Sequence, residues 1–217
     1  MGNSLRQGLR RYFRPEQLAL LQAARVGVAG AGGLGSNAAL MLARCGVEHL
    51  LLVDDDVVEP SNLNRQHYWP RHLGRPKVEA LADLLRELNP DIRLDTRQLR
   101  LTPDNLPEIL PACPIWLEAL DDPEAKTMLV ERALLSGRLV ASASGMGGYG
   151  GPPMQKRRLG PLTLVGDFST DVLTAPPLAP RVTQAAALLA DAVLEFILEH
   201  FHFENALAGN APGQQRL

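Results

Sequence analysis

The chain has 217 residues, of which 46% are apolar and 21% charged, and a formal net charge of −2. That length predicts one generous domain over residues 1–217, and the balance excludes disorder, a fibrous repeat and nucleic-acid binding through bulk positive charge. With only two cysteines, Cys45 and Cys113, neither a disulfide framework nor a cysteine-built zinc site is available, which predicts a reduced, cytoplasmic setting.

Residues 1–14 are basic, carrying Arg6, Arg10, Arg11 and Arg14, and read as an arm without the apolar stretch of a secretory signal. Pro15 starts a leucine-rich helix. The apolar run Arg25 to Ala31 stops at glycines and predicts a buried strand. Leu34 to Arg44, apolar almost all round, predicts a buried helix, and Glu48 to Val53 a second buried strand. These three segments have the size of a βαβ unit. Pro76 opens an amphipathic helix with Val78, Leu81, Leu85 and Leu88 on one face, stopped by Asn89-Pro90.

Residues 91–101 read as an outer strand and Pro114 to Ala119 as a central one. A helix follows from Pro123 to about Ser136, then a strand from Arg138 to Ala143. After a glycine-rich loop at 144–153, a strand is expected over Leu162 to Phe168 and an extended connector over Thr174 to Pro180. The last helix runs from Arg181 to about Phe201. Its apolar stretch, Ala185 to Leu198, is interrupted by Asp191 and Glu195 and is too short to span a bilayer. Residues 205–217 read as a frayed tail. Alternating strands and helices predict an α/β fold: a Rossmann-like, mainly parallel sheet with helices on both faces and a glycine-rich nucleotide loop after the first strand. Ligands of such sheets bind beyond the carboxyl ends of the strands, so the loops after Ala29, Val53, Glu118 and Ala143 should line one crevice.

Three signals fall on those loops. Gly30, Gly32 and Gly35 satisfy G-x-G-x-x-G between a strand and a helix, where backbone amides and a helix N-terminus suit a phosphate. Asp54 ends the next strand, where an acid bonds ribose hydroxyls. The segment then continues as DDVVEPSNLNRQ, with Gly74-Arg75-Pro76-Lys77 downstream. A dinucleotide site has no use for Asn62, Arg65 and Lys77, whereas a triphosphate needs amide donors, a guanidinium fork and a point charge. Lys77 also opens a helix, where the macrodipole disfavours a cation unless an anion lies nearby. Finally, Asp121 and Asp122 end a central strand. Asp122, next to Pro123, is assigned the helix cap, and Asp121, with Asp56 as a second candidate, the role of magnesium ligand.

The stretch GAGGLGSNAALMLARCGVEHLLLVDDDVVEPSNLNRQ, followed by GRPKVEAL, resembles the adenylyltransferases of the ThiF/MoeB/HesA family, relatives of the ubiquitin-activating enzymes. The resemblance runs from about Gly8 to Phe201 and is strongest to the compact members. It implies that ATP and the C-terminal glycine carboxylate of a ubiquitin-like sulfur carrier, of the ThiS type used in thiamine thiazole synthesis, give an acyl-adenylate and pyrophosphate. By motif position it implies that Gly30, Gly32, Gly33, Gly35, Asp54, Asp56 and Gln66 contact the nucleotide. It places Asn62, Arg65 and Lys77 along the phosphates and Mg²⁺ on Asp121. It also implies a homodimer in which a partner's arginine completes the site, with Arg10, Arg11 and Arg14 as candidates.

The departures from that family are expectations too. The two C-x-x-C pairs of many relatives are missing, so no structural zinc is expected. Cys45 and Cys113 read as core thiols, so no covalent transfer of the carrier is expected. His67, beside Tyr68 and Trp69, reads as packing, and His200 and His202 as surface residues near a helix end. The loop Ser144 to Gly151 either seats a carrier tail or is simply flexible. Alternatives are a family relative acting on another carboxylate (a molybdopterin carrier, a peptide, or a tRNA threonylcarbamoyl group), an NAD-dependent oxidoreductase, and a partner subunit without catalysis.

Overall fold

The computed structural model describes residues 2–171 and 174–207, with side chains up to residue 199. In chain order the elements are α1 (Ser4–Leu9), α2 (Pro15–Ala23), β1 (Arg25–Ala29), α3 (Gly33–Arg44), β2 (His49–Val53), α4 (Lys77–Leu88) and β3 (Arg93–Arg97). There follow α5 (Leu106–Ile109), β4 (Ile115–Glu118), α6 (Pro123–Leu135), β5 (Leu139–Ala143), β6 (Gln155–Leu159), β7 (Leu162–Gly166) and α7 (Ala179–Leu207). The strands form one sheet in the order β3-β2-β1-β4-β5-β7-β6, parallel except for β6, which runs antiparallel to β7. From β1 the chain winds outward to β2 and β3, then crosses back to β4 on the other side. The strand order therefore reverses between β1 and β4, and a crevice opens there at the carboxyl ends.

Alternation along the central strands divides the core into two layers. Val26, Val28, Leu50, Leu52, Ile115 and Leu117 face α3, α4 and α7, burying Leu42, Leu81, Leu85, Leu189 and Val193. Leu51, Val53, Trp116 and Val140 face the other way, against Leu129 and Ala133 of α6 and against Leu106 and Leu110. Trp116 is fully buried, its indole N–H 3.2 Å from both the Leu110 and Cys113 carbonyls, and its ring lies flat over Gly27 of β1. A Cβ on Gly27 would sit 2.6 Å from that ring.

Three expectations need correction. Residues 1–14 do not form a free arm: Ser4–Leu9 is helical, capped by Asn3, and Arg6 grips Glu48 with two nitrogens at 2.7 and 3.2 Å. Gln22 bonds the same carboxylate, so α1 and α2 are pinned to the turn before β2. The strand β6 was not expected from sequence, and the strand before it in the sheet ends at Gly166 rather than Phe168. The last helix extends through Leu207, past the start expected for a tail at 205; residues 208–217, and the side chains of His200 and His202, lie outside what is described. Among the described residues no helix is long and apolar enough to cross a membrane.

Gly27→Ala tests the Trp116 contact. Overpacking a ring with nowhere to move costs about 1–3 kcal/mol, read as a lower denaturant midpoint at unchanged slope; a wild-type midpoint would place the ring elsewhere.

Candidate nucleotide site

The glycine turn after β1 is the hub of the crevice. Gly30 has φ +94°, and a Cβ there would collide with the Ala119 carbonyl at the end of β4. Gly35, one turn into α3, lies against the Gly30 carbonyl, and a Cβ on Gly33 would meet Val182 of α7 at 2.9 Å. Those three glycines exist so that backbone can approach backbone or core. Gly32 differs: the nearest atom to a Cβ there is Gln66 Nε2 at 3.7 Å. The space over Gly32 is thus open, at the N-terminus of a twelve-residue helix that no side chain caps. Unpaired amides and the positive end of the helix dipole face that space.

Asp54 fastens this turn to the loop after β2. Its two carboxylate oxygens accept the amides of Ala31 at 2.6 Å and Asp56 at 2.8 Å. Burial raises its pKa above the usual carboxylate value, opposed by the Ala31 amide and the Lys77 charge. Tyr68 closes the other side, its hydroxyl 2.7 Å from the Ala31 carbonyl and 3.2 Å from that of Lys77. Its pKa is raised by burial and by Asp54, so it stays a neutral donor.

Lys77, the first residue of α4, is buried and ion-paired to Asp56 at 2.6 Å. The anion expected beside it is therefore already present in the chain. Asn62 is also buried, but its amide oxygen accepts the Glu59 amide at 3.0 Å, which turns it toward holding its own loop. Gln66 is buried beside Gly32, and its Oε1 has no hydrogen-bond partner. A buried amide oxygen left in this way marks a place where a donor belongs. Arg65 packs its stem 3.5 Å from the Cβ position of Gly33 and donates to the Ser61 carbonyl and the Asn64 amide oxygen. Among the described residues it makes no ion pair. Asn37 joins the two loops, donating to the carbonyls of Gly33 at 2.7 Å and Arg65 at 2.9 Å. This asparagine was not singled out in the sequence; its place two residues after the last glycine of G-x-G-x-x-G was the available signal.

Of Asp121 and Asp122, the second takes the cap expected of it. Asp122 accepts the Glu124 amide and caps α6, and its second oxygen bonds Arg100. Asp121 is exposed and comes two residues after Ala119, the residue against which Gly30 is packed. Asp54, Asp55 and Asp56 form a grouping of carboxylates that excludes Asp121, and the Asp54 oxygens in it are already spent on backbone amides. Behind this turn Glu118, fully buried, accepts the Leu120 amide at 2.7 Å, the Ser142 hydroxyl at 2.6 Å and Lys126. Cys45 is half-buried at the end of α3. Cys113 is buried, its thiol pushed up to about 11 by burial, so neither offers a thiolate to this crevice. His67 is exposed rather than packed; only its backbone amide is held, by Ser36.

The glycine-rich loop 144–153 is held down rather than loose. Asp167 accepts the Ser169 and Thr170 amides, the Thr170 hydroxyl and Arg181, and Arg181 also donates to the carbonyls of Gly150 and Pro152. Burial acts to raise the Asp167 pKa, but the bonds from Thr170, Ser169 and Arg181 outweigh it and hold it well below the usual value.

Fold, glycine turn and motif together define a nucleotide-binding α/β domain. The chain belongs to the ThiF family, whose model matches residues 5–212. It is 42% identical over 127 residues to "Adenylyltransferase and sulfurtransferase uba4" of Aspergillus clavatus, a match covering 58% of this chain and 26% of that protein. The corresponding protein of Yarrowia lipolytica is 38% identical over 126 residues, covering 58% and 32%. The chain thus spans between a quarter and a third of the length of these relatives. Among solved structures, Escherichia coli tRNA N6-threonylcarbamoyladenosine dehydratase (TcdA) in complex with ATP superposes with a TM-score of 0.80 at 24% identity, over 94% of this chain and 96% of that one. Escherichia coli MccB with ATP gives 0.70 at 21% identity, over 85% and 59%. At those identities the likeness is one of fold.

Two substitutions separate ligand space from packing. Gly32→Ala is expected to keep the wild-type melting temperature but weaken ATP binding at least tenfold, while Gly35→Ala loses the fold; equal effects on both would refute the distinction. Asp167→Asn leaves Arg181 buried without its counter-ion, a loss of about 3–5 kcal/mol. A carboxylate whose pKa is depressed contributes stability above its unfolded value, near 4, and loses it as pH falls toward the folded one. The gap between wild type and variant should accordingly narrow on acidification below pH about 4; a gap independent of pH would contradict the clamp.

Proposed function

We propose that this chain is an ATP-dependent adenylyltransferase that activates the C-terminal glycine carboxylate of a ubiquitin-like, ThiS-type sulfur carrier as an acyl-adenylate, releasing pyrophosphate. The observation that carries this reading is the open floor over Gly32, flanked by the unpartnered Gln66 oxygen and by a guanidinium with no acid. The guanidinium and the uncapped helix N-terminus suit a triphosphate, the Gln66 oxygen suits a hydroxyl or amino donor of the nucleoside, and the names of the uba4 relatives and the ATP complexes of TcdA and MccB point the same way.

In this reading Gly30, Gly32, Gly33 and Gly35 shape the turn on which the phosphates lie, and Asp54 and Gln66 orient the nucleoside. A carboxylate is ionised at neutral pH and attacks the α-phosphorus without a general base. The barrier is the negative charge gathering on the α-phosphoryl oxygens and the leaving pyrophosphate. Arg65 swings from its two neutral acceptors onto that charge, Lys77 shares its ammonium between Asp56 and the phosphates, and Asn62 holds the loop that presents Arg65. The exposed carboxylate of Asp121, with Asp56, suits a hard cation with oxygen ligands, and Mg²⁺ bound there would neutralise phosphate charge. No structural zinc is proposed. The functional unit is a cytoplasmic homodimer with an arginine from Arg10, Arg11 or Arg14 of the partner entering the site.

A second reading rests on the end-to-end superposition with TcdA: the activated carboxylate belongs to the threonylcarbamoyl group of a modified tRNA. Pyrophosphate exchange into ATP separates the two. With a ThiS-type carrier ending in Gly-Gly, wild type should exchange only in the presence of Mg²⁺ and carrier. Arg65→Ala and Lys77→Ala should lose at least 100-fold with the fold intact, and Asp121→Asn should demand more Mg²⁺. Exchange driven by modified tRNA but not by any carrier moves the assignment to the second reading. Full exchange in both variants overturns the roles.

A further inference from the structure

The opposite end of the sheet carries its own constellation. Arg25, His49 and Arg93 open β1, β2 and β3, and they are register partners, Arg25 with His49 and His49 with Arg93. Residues paired in parallel register point to the same face of the sheet, here the face on which Gly27 meets Trp116. Three basic side chains thus stand in one row, about 4.8 Å from one strand to the next. Like charges placed directly opposite one another repel. Arg138, just before β5, adds a fourth cation near Cys113, and its Nε is buried without a hydrogen-bond partner.

The acids nearest this row, Glu48 and Asp95, are committed to other partners. Among the described residues Arg25, Arg93 and Arg138 make no ion pair, whereas Arg6, Arg75, Arg97, Arg100, Arg158 and Arg181 each have a carboxylate. Glu48, next to His49, is taken up by Arg6 and Gln22, and Asp95 is paired with Arg97. The row lines a hollow of about 370 Å³ together with Leu51, Asp95 and Cys113. That hollow exists because the β3-to-β4 connection holds only short helical turns and leaves this face of β2 and β3 without a long helix.

We propose that this hollow is a second anion site, in which Arg25, His49 and Arg93 hold a phosphate group borne by a small ligand. Two guanidinium forks spaced by one strand can each take two oxygens of a tetrahedral anion. A doubly charged phosphate balances the two arginines where a single carboxylate does not, and the His49 ring adds an N–H donor. The size of the hollow suits a small molecule. The five residues of β1 separate it from the nucleotide crevice, about 16 Å along the strand, so it does not depend on the reading given to that crevice. The charges facing His49 are Arg25, Arg93 and Glu48; burial and the two arginines lower its pKa, so an anion here has a built-in reporter.

The probe is inorganic phosphate, titrated into the intact chain at neutral pH with the His49 ring resonances followed by NMR. A saturable shift is expected, absent with chloride at matched ionic strength and at least tenfold weaker in Arg25→Gln/Arg93→Gln. The same double variant should melt higher than wild type in phosphate-free buffer, since repulsion is relieved, and should lose the wild type's extra gain in melting temperature on adding phosphate. A response shared with chloride, or one retained by the double variant, overturns the site, as does a double variant that melts no higher than wild type. Arg93→Gln alone provides the same reading if the double variant misfolds.

Discussion

The Asp54 carboxylate is the joint on which the crevice depends. It leaves the end of β2, reaches across to the Ala31 amide in the glycine turn, and at the same time holds the Asp56 amide at the head of the motif loop. Burying a carboxylate is costly unless donors surround it. Here two amides and the nearby Lys77 charge offset only part of that cost, because the pKa remains raised. A raised carboxylate pKa means stability that is present at low pH and lost as pH rises through the folded value. Further donors to the Asp54 carboxylate would offset more of the cost of burying it.

Around that joint, each glycine solves a different steric problem. Gly30 lets β1 approach the end of β4, and Gly35 lets α3 turn back over Gly30. Gly33 admits Val182 of α7, so the long last helix touches the nucleotide turn directly. Gly32 alone faces open space. The pattern G-x-G-x-x-G was readable in the sequence, but this division of labour was not, since it depends on Ala119 and Val182, which lie far along the chain.

The buried strands, their order of appearance and the loops at their carboxyl ends were legible because apolar runs ending in glycine or aspartate have few other uses. What sequence reasoning missed is polar and local. Gln155–Leu159 shows no alternation, because its face is not buried by apolar packing; instead Lys156 pairs with Asp191 and Glu195, and Arg158 with Glu199, all on α7. Ser4–Leu9 looked like an arm because the acids that anchor Arg6, Glu48 and Asp91, lie far along the chain, Glu48 at 42 residues away. Lys77 was correctly read as needing an anion, yet its partner in the chain, Asp56, was assigned to the nucleotide and metal.

The loop 144–153 shows how far glycine content alone misleads. Gly145 is packed against Asp167, Gly147 and Gly148 against Ala175, and Gly151 faces Arg181. The Gly148 amide also bonds the Pro176 carbonyl, zipping the loop to the connector before α7. Only Gly150 has free space, and Tyr149 beside it projects into solvent. Of the two readings of this segment, a seat for a carrier tail or simple flexibility, the second is at odds with the contacts: most of its glycines are packed internally, and the Gly150 and Pro152 carbonyls are held by the buried Arg181. The loop is braced internally, and the Asn64 amide donating to the Pro177 carbonyl ties the connector before α7 to the motif loop that carries Arg65. The glycine loop and the motif loop are thus fixed to each other through the connector, by the Gly148 amide on one side and the Asn64 amide on the other.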